Sequence, residues 1–306
     1  MVRFIAKRLI GSIPILIGVT LIIFILLHIV PGDPVTLMMK EHVDPDTIAR
    51  VRAQMHLDAP IYVQYFDFLW EALQGDFGIS YKLSRPVSTL LLDAFPNTFV
   101  LAVAAMGFSW LVGIPAGILS VVKKYSFLDY FFMTGALLGV SMPVFWSGLL
   151  LQYLFAFKLG WLPVSGFNNP LCLIMPAIVL GWASAGTIAR LTRSSLLEVM
   201  GNDYIRTARA KGLSAIAVLF HHALKNSFLP VVTVMAMQVA SLLSGAVITE
   251  TIFSIPGIGR IAINAIQTRD LPLLQGSVLF TTVLVIVGNL AADVLYSFLD
   301  PRIKNK

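Results

Sequence analysis

Hydrophobic positions in this chain gather into six long runs, Leu9–Val30, Asn97–Val122, Tyr130–Phe157, Leu171–Ala189, Ser227–Thr249 and Leu271–Leu299. Asp293 is the one charged side chain inside them. A helix rising 1.5 Å per residue needs about 20 apolar residues to cross the hydrocarbon of a bilayer. Each run therefore predicts a transmembrane helix, and the fold class predicted is an all-α integral membrane protein of six spans. Pro115, Pro143 and Pro176 lie within runs and predict mid-span kinks, because proline frees a carbonyl that neighbouring helices must satisfy.

Two of the connecting segments are long. In 31–96, Asp44-Pro45 supplies an N-cap and a first-turn proline ahead of Ile48, Val51 and Met55. Ala59-Pro60 opens a second helix carrying Ile61, Tyr65, Phe66, Leu69 and Leu73, which Gly75 stops. Their apolar stripes are expected to pack on the membrane face. In the other long segment, 190–226, good helix formers over Asp203–Lys225 are interrupted by Gly212. That pattern predicts two short helices meeting near the glycine, with Arg206, Arg209 and Lys211 displayed to solvent. Ser254-Ile255-Pro256-Gly257 reads as a type II turn, proline pre-set and glycine at positive φ.

Composition agrees with the pattern. Hydrophobic residues make up 57% of the 306 and charged residues 12%, against roughly 45–50% and 25% in soluble domains. Basic residues then orient the spans. Arg3, Lys7 and Arg8, Lys123 and Lys124, the cluster Arg190, Arg193, Arg206, Arg209, Lys211 and Lys225, and Arg302, Lys304 and Lys306 all fall on one side. The opposite side has few outside the long 31–96 loop, which counts little toward orientation. Both termini and the 190–226 loop are thus expected in the cytoplasm, with 31–96 a structured external loop. The net charge of +6 follows from this asymmetry and requires no nucleic-acid partner. The first run is longer than a signal-peptide core, and Pro31-Gly32-Asp33-Pro34 follows it in place of a small-residue cleavage site, so an uncleaved helix is expected. A single cysteine, Cys172, rules out an internal disulfide.

Little in the chain suggests chemistry. No GxxxxGK[ST] phosphate loop occurs. Gly257-Ile258-Gly259-Arg260-Ile261-Ala262 fits a relaxed dinucleotide pattern but follows a turn instead of a strand. His221 and His222, adjacent on a helix, point about 100° apart, too divergent to chelate one metal easily. His42 and His56 are weak candidates alone. No catalytic, cofactor-binding or metal-ligating residue is assigned, and no enzyme is expected. An ion-coupled secondary transporter would need ionisable groups deep in its helices. Asp293, a turn or two from the cytoplasmic end, reads instead as an interfacial carboxylate. Gly113/Gly117 and Gly135/Gly139 form GxxxG pairs, and Ser241, Ser244 and Gly245 a small-residue face, so close helix contacts are expected. Ser141, Met142, Phe145, Trp146, Gln238, Ser241 and Ser244 suit a wet pathway between spans and suit helix packing about equally.

Asp203-Tyr204-Ile205-Arg206-Thr207-Ala208-Arg209-Ala210-Lys211-Gly212, then His222-Ala223-Leu224-Lys225-Asn226 and Leu229-Pro230, closely resembles the cytoplasmic loop of ABC-importer permeases of the dipeptide, oligopeptide and nickel group. The general importer consensus has Glu-Ala-Ala where this chain has Arg206, Thr207 and Ala208, a departure similar to this subgroup's own version. The likeness covers the chain. Pro31-Gly32-Asp33-Pro34, Gly75-Asp76-Phe77-Gly78, Pro96-Asn97-Thr98, Arg193-Ser194-Ser195, and Thr249–Phe253 leading to Pro256–Arg260 match in order, most closely the dipeptide type.

The resemblance implies one permease domain over 1–306: a first span (1–30), the external loop 31–96, and a five-helix core 97–306 bearing the coupling loop 190–226. It implies ATPase coupling through Asp203, Tyr204, Arg206, Thr207, Ala208, Arg209, Ala210, Lys211, Gly212, His222 and Lys225. It also implies a second homologous permease, two ATPase subunits carrying ATP and Mg, and an external substrate-binding protein, in a bacterial inner membrane. Dipeptides are the expected cargo, with oligopeptides, glutathione, nickel complexes or haem as alternatives. An ion-driven carrier is the rival class.

Overall fold

The structure is a computed structural model that describes residues 2–29, 50, 52–53, 59–80, 82–244 and 246–299. It is helical almost throughout, and divides into two compact units. One comprises the described residues of 99–255 and from 287 onward, and the other those of 2–98 and 256–286. The helix expected behind Asp44-Pro45 lies outside the described residues.

In the smaller unit, α1 spans Val2–Ile29 and α2 spans Ile61–Leu73. Pro60 precedes α2, and Gly75, at φ +78°, closes it. A two-residue hairpin pairs β1 (Ile79–Ser80) with β2 (Arg85–Pro86), in the register Ile79–Pro86 and Ser80–Arg85. It leads into α3, Val87–Val122, whose first turns belong to this unit. Val87, Leu90, Leu91 and Ala94 pack there against Ile258 and Ala265 of α10 (Ile258–Thr268) and Leu273 of α11 (Leu271–Leu299). Asp270, buried, caps α11: its Oδ1 accepts from Leu273 N at 3.3 Å, and its Oδ2 accepts from Ser80 Oγ at 2.5 Å.

Pro96-Asn97-Thr98 has a structural role here. Thr98 Oγ1 accepts the Ile258 N–H at 2.9 Å and Asn97 Nδ2 donates to the Pro256 carbonyl at 2.8 Å. Two stretches far apart in sequence thereby secure the start of α10, whose first amides have no partner within the helix.

The larger unit is built around α6, Ile174–Met200, the most deeply enclosed of the long apolar helices. Small residues make this possible. A Cβ on Gly113 or Gly117 of α3 would come within 2.7 Å of an α6 carbonyl, Ala185 O or Ala189 O. On the other side, Gly186 of α6 abuts the Ala136 carbonyl of α4 (Phe127–Ser141). Trp182 lies over Gly139 and donates from Nε1 to the Gly135 carbonyl at 3.0 Å. Such approach is how apolar helices gain contact in a solvent as apolar as themselves. A separate core gathers Leu101, Ala105, Met175, Val179, Leu180, Leu242, Ala246, Phe253 and Ile255.

The run Tyr130–Phe157, read as one span, is broken. After α4, Met142 is extended (φ −77°, ψ 134°) and Pro143 starts α5, Val144–Leu151. Proline disfavours a helical residue before it and lacks the N–H that would continue the ladder. The two segments meet at 114°. α5 continues as a π-helical stretch, Gln152–Lys158. Among the described residues five helices are long and apolar enough to cross a membrane, or six if this bent pair forms one span. The other two prolines differ: α3 runs uninterrupted through Pro115, and Pro176 sits in the first turn of α6. The type II turn is also corrected. Positive φ falls on Ser254 (52°), and Gly257 (φ −103°, ψ 179°) is an extended N-cap residue of α10.

Candidate functional site

α6 does not stop where its apolar run ends at Ala189. It carries Arg190, Arg193 and Ser194 onward to Met200, so the start of the 190–226 segment is helix. After Gly201 and Asn202 the chain enters α7, Asp203–Ala210. Ile205 and Ala208, three residues apart and so on one face, are its buried positions. They join Val121 of α3, Leu196 of α6, and Val218, Leu219 and Ala223 in one cluster. α7 is therefore seated on the ends of α3 and α6 through an apolar base.

The opposite face is open. Asp203, Arg206, Thr207, Arg209, Ala210 and Lys211 are exposed, as is Tyr204. The Arg206–Asp203 pair, 3.6 Å apart and solvated on both sides, contributes little stability. Gly212, at φ +84°, ends the helix. Its N–H donates to Arg209 O at 3.0 Å while Leu213 N donates to Ala208 O at 3.4 Å. This pair of bonds is the Schellman arrangement, which needs a left-handed residue where Gly212 stands.

Beyond the turn, Ser214 caps the next helix by accepting the Ala217 N–H at 3.2 Å. A short turn, Ala215–Ala217, passes through a π-helical stretch, Val218–Leu224, into α8, Lys225–Ser244. The second of the two expected short helices is thus continuous with a long apolar one. His222 is half-buried and Lys225 exposed. Asn226 Nδ2 donates to His222 O at 3.0 Å and to Tyr204 Oη at 3.1 Å, linking the two sides of the turn.

The surface so formed combines the cations Arg206, Arg209, Lys211 and Lys225 with exposed Leu213, Ile216 and Phe220. The apolar trio escaped the sequence reading. Ile216 and Phe220, four apart after the Ser214 cap, carry the signal of one helical face, with Leu213 just ahead of that cap. Ala208 was grouped with the coupling residues, yet its side chain faces the protein's own core.

The proposed pathway residues fall on two elements. Ser141 and Met142 form the bend after α4, and Phe145 and Trp146 stand exposed on the first turn of α5. Gln238 lies on α8, where Nε2 donates to Ser184 O of α6 at 3.4 Å and buried Oε1 has no hydrogen-bond partner. Ser241 is exposed on the same helix, and the side chain of Ser244 lies outside the described residues. Among the described residues no group of three or more His, Cys, Asp or Glu is arranged to hold a metal.

Two family models match almost the whole chain. The binding-protein-dependent transport system inner membrane component matches residues 113–305, and the N-terminal domain of the same membrane component matches 1–102. This chain belongs to that family of inner-membrane transport components. Relatives from this family align end to end with it. The dipeptide transport system permease protein DppB of Escherichia coli (strain K12) is 44% identical, with 100% of both chains covered. The di/tripeptide transport system permease protein DppB of Pseudomonas aeruginosa is also 44% identical at the same coverage. The glutathione transport system permease protein GsiC of Salmonella typhimurium is 40% identical, again over 100% of both.

The fold has solved counterparts. A chain of the MetNI methionine ABC transporter, in an inward-facing conformation, superposes with a TM-score of 0.59 at 17% identity, covering 69% of this chain and 96% of that one. Like other family members, this permease is a multi-pass protein of the inner membrane.

Proposed function

We propose that the chain is the permease subunit of an ATP-driven importer that moves dipeptides, or closely similar small peptides, into the cytoplasm by alternating access. The observation that carries the substrate is 44% identity, with 100% of both chains covered, to permeases of dipeptide and di/tripeptide systems. Similarity of 40% to a glutathione permease favours glutathione, itself a small peptide, as the second reading.

In this reading ATP and Mg bind to two separate ATPase subunits. Their closure presses on the exposed face of α7, at Asp203, Tyr204, Arg206, Thr207, Arg209, Ala210 and Lys211, and on His222 and Lys225 beyond the Gly212 turn. Because Ile205 and Ala208 seat α7 on α3 and α6, a push there moves packed helices as a body rather than bending a loop. A second permease completes the pathway, for which Ser141, Met142, Phe145, Trp146, Gln238, Ser241 and Ser244 are candidates. A binding protein delivers cargo on the side opposite the ATPases.

The test is to purify the chain in mild detergent with whatever accompanies it, identify those subunits by mass spectrometry, and measure labelled dipeptide uptake after reconstitution. ATP-dependent uptake with a second permease and ATPase subunits present supports the proposal. Uptake that follows an ion gradient and ignores ATP would replace it with an ion-coupled carrier.

A further inference from the structure

Helix α2 faces outward in a way its peptide-transport role does not explain. Tyr62, Phe66, Trp70 and Leu73 recur at spacings of four, four and three, which places them on one side of the helix. That side is 66% exposed at Phe66, 67% at Trp70 and 81% at Leu73. Gln64, Asp67 and Glu71 share a different side. The helix is thus amphipathic with its apolar side out, the reverse of a helix belonging to a soluble domain.

Its inner side is pinned to α1. Tyr65 Oη lies 3.0 Å from Thr20 Oγ1 and donates to Ile17 O at 3.3 Å, and its ring meets Phe24 edge-on with centroids 5.3 Å apart. Thr20 also donates to Leu16 O and Ile17 O, so neither hydroxyl depends on water. The position of this pin sets a depth. α1 is uncharged from Leu9 to its end at Ile29. At 1.5 Å per residue, Thr20 lies about 13 Å and Phe24 about 7 Å below that end, inside a hydrocarbon half-thickness of about 15 Å. Beside the pin, Leu21, Ile22, Ile25 and Leu26 of α1 are exposed apolar side chains. The outward side of α2 therefore extends the lipid-facing surface of a spanning helix.

We infer that α2 lies within the leaflet at which α1 ends, below the boundary of headgroups and acyl chains, with Tyr62, Phe66, Trp70 and Leu73 facing lipid. The occupant of this face is lipid. Aromatic residues favour that boundary, and interfacial helices sink their apolar face about 5–10 Å into it. The inference requires only that the chain is a membrane component; it is independent of the cargo and of the ATPase partners.

Spin labelling tests it. Cys172→Ser removes the one native thiol, and Phe66→Cys, Trp70→Cys and Glu71→Cys then each take a nitroxide. The labelled full chain, with the subunits that accompany it, is placed in phosphatidylethanolamine–phosphatidylglycerol vesicles. All three sites are exposed, so the labels leave the fold intact. Lipid embedding is supported if labels at 66 and 70 collide severalfold more with oxygen than with an aqueous nickel chelate, and the label at 71 does the reverse. Equal nickel access at all three sites would overturn it in favour of a water-exposed helix. Immobile labels at 66 and 70, shielded from both reagents, would overturn it in favour of a protein partner on that face.

Discussion

Asp129 accepts both arms of the Arg193 guanidinium, from Nε at 2.8 Å and from Nη2 at 2.9 Å, although the aspartate is only 3% exposed. Its Oδ2 also takes the N–H of Tyr125, a residue held at φ +63°. The pair ties the first turn of α4, and the tight turn before it, to α6 ten residues before α7 begins at Asp203. Breaking a buried pair strands a charge, at a cost of about 3–5 kcal/mol. Asp129→Leu and Arg193→Met are each expected to lower the thermal unfolding midpoint of the purified chain sharply. The double change Asp129→Leu with Arg193→Met should cost less than either, because no charge is left behind. A double-mutant cycle on unfolding midpoints checks this; additive losses would show that the two groups do not act as a pair.

Gly212 should tolerate side chains according to their cost at positive φ and not according to size. Nothing lies within 4 Å of where its Cβ would be, yet a left-handed L-residue costs about 1–2 kcal/mol. Gly212→Ala is therefore expected to loosen the α7 turn, and Gly212→Asn to loosen it less, since asparagine enters this region more readily. Amide hydrogen exchange over 203–213 reads the loosening directly. Equal exchange in all three proteins would remove the glycine from the argument.

Two faces of α7 should separate stability from assembly. Ile205→Ala empties a fully buried position and is expected to cost about 2–5 kcal/mol. Arg209→Glu changes an exposed side chain and should leave stability within about 0.5 kcal/mol. If ATPase subunits dock on this face, Arg209→Glu, and more so with Lys211→Glu, will reduce their co-purification while the chain itself stays folded. Retention of ATPase subunits by the doubly reversed chain would place the docking surface elsewhere.

The long apolar runs made the membrane class and most of the helices legible, because a spanning helix needs only length and apolarity. What the runs concealed was where a helix ends. Hydropathy is blind to backbone geometry, so the 114° break at Met142-Pro143 disappears inside a continuous apolar stretch, while Pro115 and Pro176 fall within helices that continue through them. Charge misled in the other direction: Arg190 and Arg193 suggested a loop, but α6 simply projects past its apolar segment. The exposed cations of α7 were readable from the motif around Gly212. The salt bridge was not, since nothing local links Asp129 to an arginine 64 positions away.

Gly117 and Gly135, one from each GxxxG pair, look alike in sequence but should respond oppositely to the same substitution. At Gly117 a Cβ would lie 2.6 Å from the Ala189 carbonyl and 2.6 Å from Thr192 Cβ, so a methyl group must push α3 and α6 apart. At Gly135 nothing lies within 4 Å, even though its carbonyl receives the Trp182 N–H. Gly117→Ala is accordingly expected to destabilise by about 1–3 kcal/mol, the usual penalty for overpacking. Gly135→Ala should be neutral or stabilising by up to about 1 kcal/mol, since alanine is the better helix former. Unfolding midpoints of the two purified variants, with the fraction recovered as a monodisperse peak, decide the matter. A large loss at position 135 would mean that α4 packs closely against a further element along this face, because no atom of the described residues lies within 4 Å of the added methyl group.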